Sequence, residues 1–294
     1  MTAAADLHVH TRASEDGELA PAEIIGLASR RGLAAIAFSD HDSMASLDEG
    51  SALARDAGID FVPGIEMTTL LGDADVHILG YYLDRRDTGV LAACAATRAS
   101  RVAQARERIR RMREMGFDIN FDRVMEVAAG RPPTSAILMT VFREGFARKR
   151  DERLAPYIEG ARSASPGLNL FLDYFSPGKP AYVPAETISS RDAIRLILAA
   201  GGVPVIAHPG RMDSAVTETL IGSGAEGIEV YSSNHTPAQE AFYAGLARER
   251  DLVATAGSDF HGPGRKTAEL GGLRAGDVSM VAALRARRKK LHGA

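Results

Sequence analysis

Short apolar segments typical of β-strands alternate with helical stretches along most of this 294-residue chain. The predicted strands are Asp6–Val9, Ala34–Phe38, Phe61–Pro63, Val76–Tyr82, Val203–Ala207, Gly227–Tyr231 and Val253–Gly257. Helical patterns lie between them, as over Pro21–Arg31, where proline suits the first helical turn, and over Ser46–Ala57. Strand–helix alternation of this kind predicts a parallel sheet or barrel of the α/β class.

The alternation stops between residues 97 and 175, where the sequence predicts helices and loops. Arg98–Met115 is the clearest of these helices, because apolar residues recur along one face of it. The segment Ser176–Pro184 is rich in proline and glycine and returns the chain to the strands. The sequence therefore predicts two parts: a barrel formed by residues 1–96 and 181–294, and a helical insertion formed by residues 97–180.

Composition narrows the class of protein. The formal net charge of −3 argues against a protein that coats nucleic acid non-specifically. The single cysteine, Cys94, excludes an internal disulfide and suits a reducing compartment. We found no signal-peptide pattern and no apolar stretch of bilayer-spanning length. We therefore expect a cytoplasmic protein that has no membrane partner, and the sequence leaves its oligomeric state open.

Histidines and carboxylates cluster where the predicted strands end. His8 and His10 are two residues apart on one strand, so their side chains point to the same side. The other residues that lie in or just after a strand end are His41, Glu66, His208, Asp259 and His261, and His77 is the exception. Because the carboxyl ends of parallel strands share one face of a barrel, we expect these side chains to converge.

This set of side chains predicts a metal site. Imidazole nitrogens and carboxylate oxygens suit Zn²⁺, Mn²⁺ or Fe²⁺. So many ligands can hold more than one metal ion, which is the arrangement used for hydrolysis of phosphate esters. The sequence lacks the motifs of several other enzyme classes: it has no GxSxG elbow, no Walker loop and no GxGxxG after a strand. Nothing around Cys94 marks it as a nucleophile.

Eight segments carry a resemblance to a known family: DLHVH, SEDG, SDHD, PGIE, VHILGY, IAHPGR, GIEVYSS and GSDFH. At these segments, in this order, the chain resembles the PHP family, named for polymerase and histidinol phosphatase. The resemblance implies a distorted (β/α)₇ TIM-like barrel that holds two to three divalent metal ions. The helical region would then be an insertion, or cap, in that barrel.

The resemblance also implies the metal ligands, which are His8, His10, Asp16, His41, Glu66, His77, His208, Asp259 and His261. In the family's arrangement, His8, His10, Glu66 and Asp259 hold one metal ion. Glu66 bridges to a second ion, which His77 and His208 also bind. The third ion is held by Asp16, His41 and His261. Asp16 enters through the resemblance alone, since an Asp-Gly pair is more often an ordinary turn.

Within the family, the insertion and the segment PGKPAYV resemble phosphatases that remove the 3′-phosphate from nucleoside 3′,5′-bisphosphates. This implies a small phosphorylated nucleotide as substrate, with Lys179 and Arg211 on its phosphate. Group members often carry a histidine in a GRPH segment, whereas this chain has GRPP, so Arg131, Thr134 and Ser135 are the candidate substrate contacts there. The residues to which we assign catalysis are Asp259, His208 and His235, the last as a substrate contact or a proton donor to the leaving group.

Three alternatives stay open at this point. A 5′-to-3′ exonuclease on short RNA would use the same metals and would need a basic track, for which Arg106, Arg110 and Arg113 are the candidates. A histidinol-phosphate phosphatase is a second alternative. The third is a non-catalytic regulatory module that keeps its metals, although the complete ligand set argues against a decayed site.

Overall fold

The computed structural model describes residues 4–184, 186–264 and 268–293 of the chain. The chain divides into two compact units: the first comprises Met1–Ala95 and Thr187–Ala294, and the second comprises Ala96–Glu186. Among the helices in the described ranges, none combines the length and the apolar character needed to cross a bilayer.

The first unit is built on a single curved sheet. Its strands are β1 (Ala5–Val9), β2 (Ala35–Phe38), β3 (Asp60–Leu71), β4 (Ala74–Tyr81), β5 (Val203–Ile206), β6 (Gly227–Ser232) and β7 (Val253–Gly257). Each strand pairs with the next one in chain order. The backbone nitrogen of Asp259 donates to the carbonyl of His8 at 2.9 Å, and that of His10 donates to Phe260 at 2.9 Å. The segment after β7 therefore returns to β1, and the predicted α/β barrel is confirmed.

Strand β4 departs from the prediction of a parallel barrel, because it runs antiparallel to both β3 and β5. Strands β3 and β4 form a hairpin whose two-residue turn is Gly72-Asp73, with Leu71 opposite Ala74. Gly72 has φ +61°, a value that glycine adopts without the steric cost of a Cβ atom. Strand β3 is also much longer than the predicted Phe61–Pro63 and contains Glu66, so this ligand lies within a strand instead of after one.

Helices lie between the strands, and a run of consecutive helices lies between β4 and β5 in the sequence. In chain order they are α1 (Pro21–Arg30), α2 (Leu47–Asp56), α3 (Thr88–Glu114), α4 (Phe121–Ala128), α5 (Ser135–Arg148), α6 (Ala155–Ile158), α7 (Pro166–Leu170), α8 (Ser190–Ala199), α9 (Ser214–Gly222), α10 (Pro237–Glu249) and α11 (Val278–His292). A π-helical turn, Phe171–Phe175, follows α7, and a 3₁₀ turn, Pro209–Arg211, follows β5. Several starts are capped: Thr236, for example, accepts from the backbone nitrogen of Gln239 at the start of α10.

Apolar packing holds the first unit together on both sides of its sheet. One cluster joins Leu7, Leu79 and Val205, on three different strands, to Leu284 of α11. Two further clusters pack strand residues against the flanking helices: one contains residues of α1 and α2, and the other contains residues of α8, α9 and α10. Burial on both faces explains why the strands are near-continuous apolar runs.

The second unit is helical in the part of it that the structure describes. Its core includes Met112, Val124, Phe142 and Leu170, all at most 2% exposed. Several of its arginines form ion pairs with nearby carboxylates. Arg110, for example, contacts both Glu107 and Glu114. Hydrophobic burial, with ion pairs on the surface, accounts for this unit's stability.

Candidate metal centre

The site begins with the histidine pair of β1. His8 and His10 are both fully buried, and their ring centroids are 5.1 Å apart. The intervening Val9 packs into an apolar cluster with Ile24 and Phe260. The alternation of side chains along a strand therefore sends both imidazoles to one side, as predicted.

Glu66 of β3 lies at the middle of the site and is fully buried. Imidazole nitrogens of the following residues lie 3.0 to 3.2 Å from its two carboxylate oxygens: His8, His10, His41, His77 and His208. Oε2 faces the first three of these residues and Oε1 faces the last two. One carboxylate therefore joins ligands from separate strands, which is the geometry expected of a bridging ligand.

Asp16 lies in the loop after β1, with its Oδ2 3.3 Å from Nε2 of His261. The adjacent Gly17 explains why an Asp-Gly pair is used here: a Cβ at this position would lie 1.9 Å from the carbonyl oxygen of Thr11. Thr11 is itself held by the buried Asp40, whose Oδ1 accepts from its backbone nitrogen at 2.6 Å. The close approach of Gly17 to this fixed backbone orients the Asp16 loop, a contact that sequence spacing does not reveal.

Asp259 follows β7 and divides its two oxygens between different partners. Oδ1 lies 3.3 Å from Nε2 of His10 and 3.6 Å from Nε2 of His8. Oδ2 accepts from Nη2 of Arg211 at 3.0 Å and from Nδ2 of Asn234 at 3.1 Å. Asp259 also has φ +57°, which is uncommon outside glycine and marks a locally strained backbone. One oxygen is thus directed to the histidines while the other is fixed by two donors.

Glu229 of β6 contacts two of the predicted ligands and was not predicted from the sequence. It is fully buried; its Oε1 lies 3.0 Å from Nδ1 of His8, and its Oε2 accepts from the backbone nitrogen of His208 at 2.7 Å. A carboxylate on Nδ1 holds the proton there and leaves Nε2 of His8 as the ligand atom. The available signal was an acidic residue inside the apolar strand Gly227–Ser232.

Several buried polar atoms of the site have no hydrogen-bond partner among the described residues: Nε2 of His8, His10 and His261, Nδ1 of His41 and His208, and Oε2 of Glu66. Leaving such atoms unpaired in the interior is costly, and a cation removes that cost by binding them. In the described part of the chain, possible ligand atoms within 4.8 Å of one another form three groups: His8, His10, Glu66 and Asp259; His10, Asp16, His41 and His261; and His41, Glu66 and His77. The residues therefore fit divalent metal ions.

The pKa shifts of the buried side chains are consistent with metal binding. Burial raises the pKa of Glu66, but the surrounding histidines outweigh it, so its pKa lies well below the usual range. Burial opposes the charged form of His8, yet Glu66 and Glu229 hold its pKa well above the ordinary value. Burial likewise opposes the charged form of His10, and the nearby carboxylates of Asp259 and Glu66 raise its pKa to about 9. Glu66 is thus ionised, and a metal ion would displace the protons of His8 and His10.

The structure distributes the predicted substrate and catalytic residues between the two units. Arg211 and His235 belong to the first unit, where the half-exposed Arg211 contacts Asp259 and the buried His235 contacts Gly210 and Val230. Asp259 and His208 also belong to the first unit. Three predicted substrate contacts belong to the second unit: Lys179 is exposed in a turn, Ser135 begins α5, and Arg131 directs Nε to the carbonyl of Ala128.

The chain is similar in sequence to a known protein family and to characterised members of it. The model of the PHP domain family matches residues 6–147. A 3′,5′-nucleoside bisphosphate phosphatase of Chromobacterium violaceum is 35% identical over 272 residues, which cover 90% of this chain and 90% of the relative. A 5′-3′ exoribonuclease of Haemophilus influenzae is 31% identical over 269 residues, which cover 90% of this chain and 92% of the relative.

A solved structure gives the same result at the level of the fold. The structure of a metal-dependent phosphoesterase from Bifidobacterium adolescentis matches with a TM-score of 0.80 and 27% sequence identity. The match covers 97% of this chain and 96% of the other, so it includes both units described above.

Proposed function

The chain belongs to the PHP family of metal-dependent phosphoesterases, and on that premise we propose that it removes the 3′-phosphate from nucleoside 3′,5′-bisphosphates. The products are the nucleoside 5′-monophosphate and inorganic phosphate. The observation that carries the proposal is the carboxylate of Glu66, which faces imidazoles from separate strands at hydrogen-bond distance. The similarity to the Chromobacterium violaceum phosphatase over 90% of the chain supports this choice of substrate.

We propose two to three divalent ions, Mn²⁺, Fe²⁺ or Zn²⁺, held by the ligands described above. His8, His10, Glu66 and Asp259 would hold one ion; Glu66, His77 and His208 a second; and Asp16, His41 and His261 a third. When bound, the ions would neutralise charge on the phosphoryl oxygens and lower the pKa of water at the site.

The protein's own residues then position the substrate. A guanidinium carries five N–H donors, so the bond from Arg211 to Asp259 leaves others for a phosphate oxygen. We propose Arg211 as one phosphate contact, with Lys179, Arg131 and Ser135 as further contacts on the resemblance stated above. Asp259 and His208 would act in catalysis as metal ligands. Arg211 and Asn234 orient Asp259 through Oδ2, and Glu229 accepts from the backbone nitrogen of His208.

The strongest alternative is a 5′-to-3′ exonuclease on short RNA, supported by the Haemophilus influenzae relative. Of its candidate arginines, however, Arg110 contacts two glutamates, and Arg106 lies 3.9 Å from the ring centroid of Phe121. The two ion pairs of Arg110 reduce the charge that it offers to a nucleic-acid backbone. We therefore place the nucleotide phosphatase first.

The experiment compares three substrates at equal concentration with protein loaded with Mn²⁺: adenosine 3′,5′-bisphosphate, histidinol phosphate and a short 5′-phosphorylated RNA. We expect the fastest phosphate release from the bisphosphate, with 5′-AMP as the product, and none from metal-stripped protein. Cleavage of RNA alone, or of histidinol phosphate alone, would leave the family assignment intact and show that the substrate is wrong.

A further inference from the structure

His235 lies between β6 and α10 and is 4% exposed. Its Nδ1 lies 2.9 Å from the carbonyl oxygen of Val230, and its Nε2 lies 3.0 Å from the backbone nitrogen of Gly210. A carbonyl only accepts and a backbone N–H only donates, so Nδ1 carries the proton and Nε2 accepts. Both ring nitrogens are thus engaged with the backbone, which leaves no ring N–H for a leaving group.

Gly210 is held from its other side as well. Nε2 of Gln239 donates to the carbonyl of Gly210 at 3.1 Å, while Oε1 of the same amide accepts from the backbone nitrogen of Thr236 at 2.9 Å. A Cβ at position 210 would lie 2.6 Å from Cδ2 of His235 and 2.8 Å from Nε2 of Gln239. Two side chains therefore hold both backbone polar groups of this one residue, and glycine is required for the fit.

The clamped residue lies between two residues of the site. On one side is His208, whose φ of +27° is a conformation that a residue with a Cβ adopts only when its surroundings hold it there. On the other side is Arg211, whose backbone nitrogen donates to the carbonyl of His208 at 3.1 Å. The Arg211 guanidinium lies 3.0 Å from Oδ2 of Asp259. The backbone conformation at Gly210 therefore sets the position of the Arg211 Cα atom, from which the side chain extends.

A third side chain, that of Arg274, holds the backbone of His235 in place. Arg274 donates through Nη2 to the carbonyl oxygen of His235, and its Nε donates to Oε2 of Glu240 at 2.9 Å. Glu240 lies on α10, the helix that also carries Gln239. His235 is therefore fixed through both its ring and its backbone.

In place of the proton-donor role expected from the sequence, we propose that His235, together with Gln239, is a positioning residue that locks the turn Pro209–Arg211. The lock holds the Arg211 guanidinium where it contacts both Asp259 and a substrate phosphate. This inference rests on the proposed function only in that Arg211 is taken to bind phosphate.

A pair of substitutions separates positioning from proton donation. In His235→Gln, the amide oxygen still reaches the backbone nitrogen of Gly210 as an acceptor. In His235→Asn, the shorter amide keeps the hydrogen bond to the Val230 carbonyl but no longer reaches Gly210. Neither side chain can act as a general acid. The readout is the dissociation constant of inorganic phosphate for Mn²⁺-loaded protein, measured by calorimetry, together with kcat on whichever phosphoester the wild type cleaves.

We expect His235→Asn to weaken phosphate binding roughly tenfold, the size of one lost charge-assisted hydrogen bond, and His235→Gln to stay within about threefold of the wild type. Gln239→Glu, which replaces the donor to Gly210, should weaken phosphate binding as His235→Asn does. His292→Asn, on α11, is the matched control and should change nothing. Equal loss of kcat in the Gln and Asn variants, with phosphate affinity unchanged, would overturn the proposal.

A double-mutant cycle tests whether His235 acts through Arg211. In an Arg211→Ala background, His235→Asn should cause almost no further loss of phosphate affinity, because the guanidinium it positions is gone. Additive losses would show that His235 acts by another route. Because the phosphate measurement does not depend on the organic part of the substrate, it decides this inference even if the bisphosphate proves not to be cleaved.

Discussion

At the scale of single residues, the metal centre depends on carboxylates that point their two oxygens at different partners. Asp259 directs Oδ1 to the histidines of β1 and Oδ2 to Arg211 and Asn234. Glu229 joins Nδ1 of His8 to the backbone of His208. In each case the second oxygen is held by fixed donors, so the first is oriented before any ligand arrives. Orientation of this kind lowers the cost of assembling a metal site.

Glu229→Gln tests this orienting role. The amide keeps the size of the side chain but removes the charge that holds the proton on Nδ1 of His8. We expect metal affinity to fall roughly ten- to hundredfold, with the fold retained. Metal titration of the stripped protein measures the change, and Glu249→Gln, at an exposed position on α10, is the control. Wild-type affinity in Glu229→Gln would show that His8 does not need this partner.

At the scale of elements, the β3–β4 hairpin places the central ligand. Strand β3 carries Glu66 and its partner β4 carries His77, and both side chains converge because the two-residue turn fixes the register. The antiparallel direction of β4 also explains how a histidine within a strand, instead of at its end, reaches the same site. The hairpin thus replaces one parallel strand–helix unit of a regular barrel.

Gly72→Ala tests the turn. Because Gly72 has φ +61° and its added Cβ would meet no other atom, only the backbone conformation is penalised. We expect the free energy of unfolding of the first unit to fall by about 1 kcal/mol, with metal content unchanged. Denaturant titration measures the loss, and Gly222→Ala in α9, where the added Cβ also meets nothing, is the control. A loss of metal with no loss of stability would contradict this account of the hairpin.

The sequence predicted part of the fold and part of the candidate site. The alternating apolar runs predicted the barrel, and polar residues at their ends predicted that His8, His10 and His41 would meet. The extent of β3 was missed because Pro63 and Gly64 resemble a strand end. Glu229 was missed because a buried glutamate within a strand has no periodicity that sets it apart. Asp16 depends on the contact of Gly17 with the Thr11 backbone, which exists only in the folded chain.

At the scale of the whole molecule, closure of the sheet brings the two ends of the first unit's sequence into one site. The bond from the backbone nitrogen of Asp259 to the carbonyl of His8 joins the segment after β7 to β1. Ligands some 250 positions apart in the chain therefore lie side by side, and all nine predicted ligands belong to the first unit. The helical insertion between β4 and β5 contains none of the nine predicted ligands.

The most direct test of the account is the metal content and turnover of Glu66→Gln compared with the wild type. Both proteins would be reconstituted with Mn²⁺, and bound metal counted by elemental analysis alongside phosphate release. We predict two to three ions per wild-type chain, loss of at least one ion in the variant, and loss of turnover with the fold retained. A Glu66→Gln protein that keeps every ion and full activity would contradict the claim that this carboxylate joins the ligands into one catalytic centre.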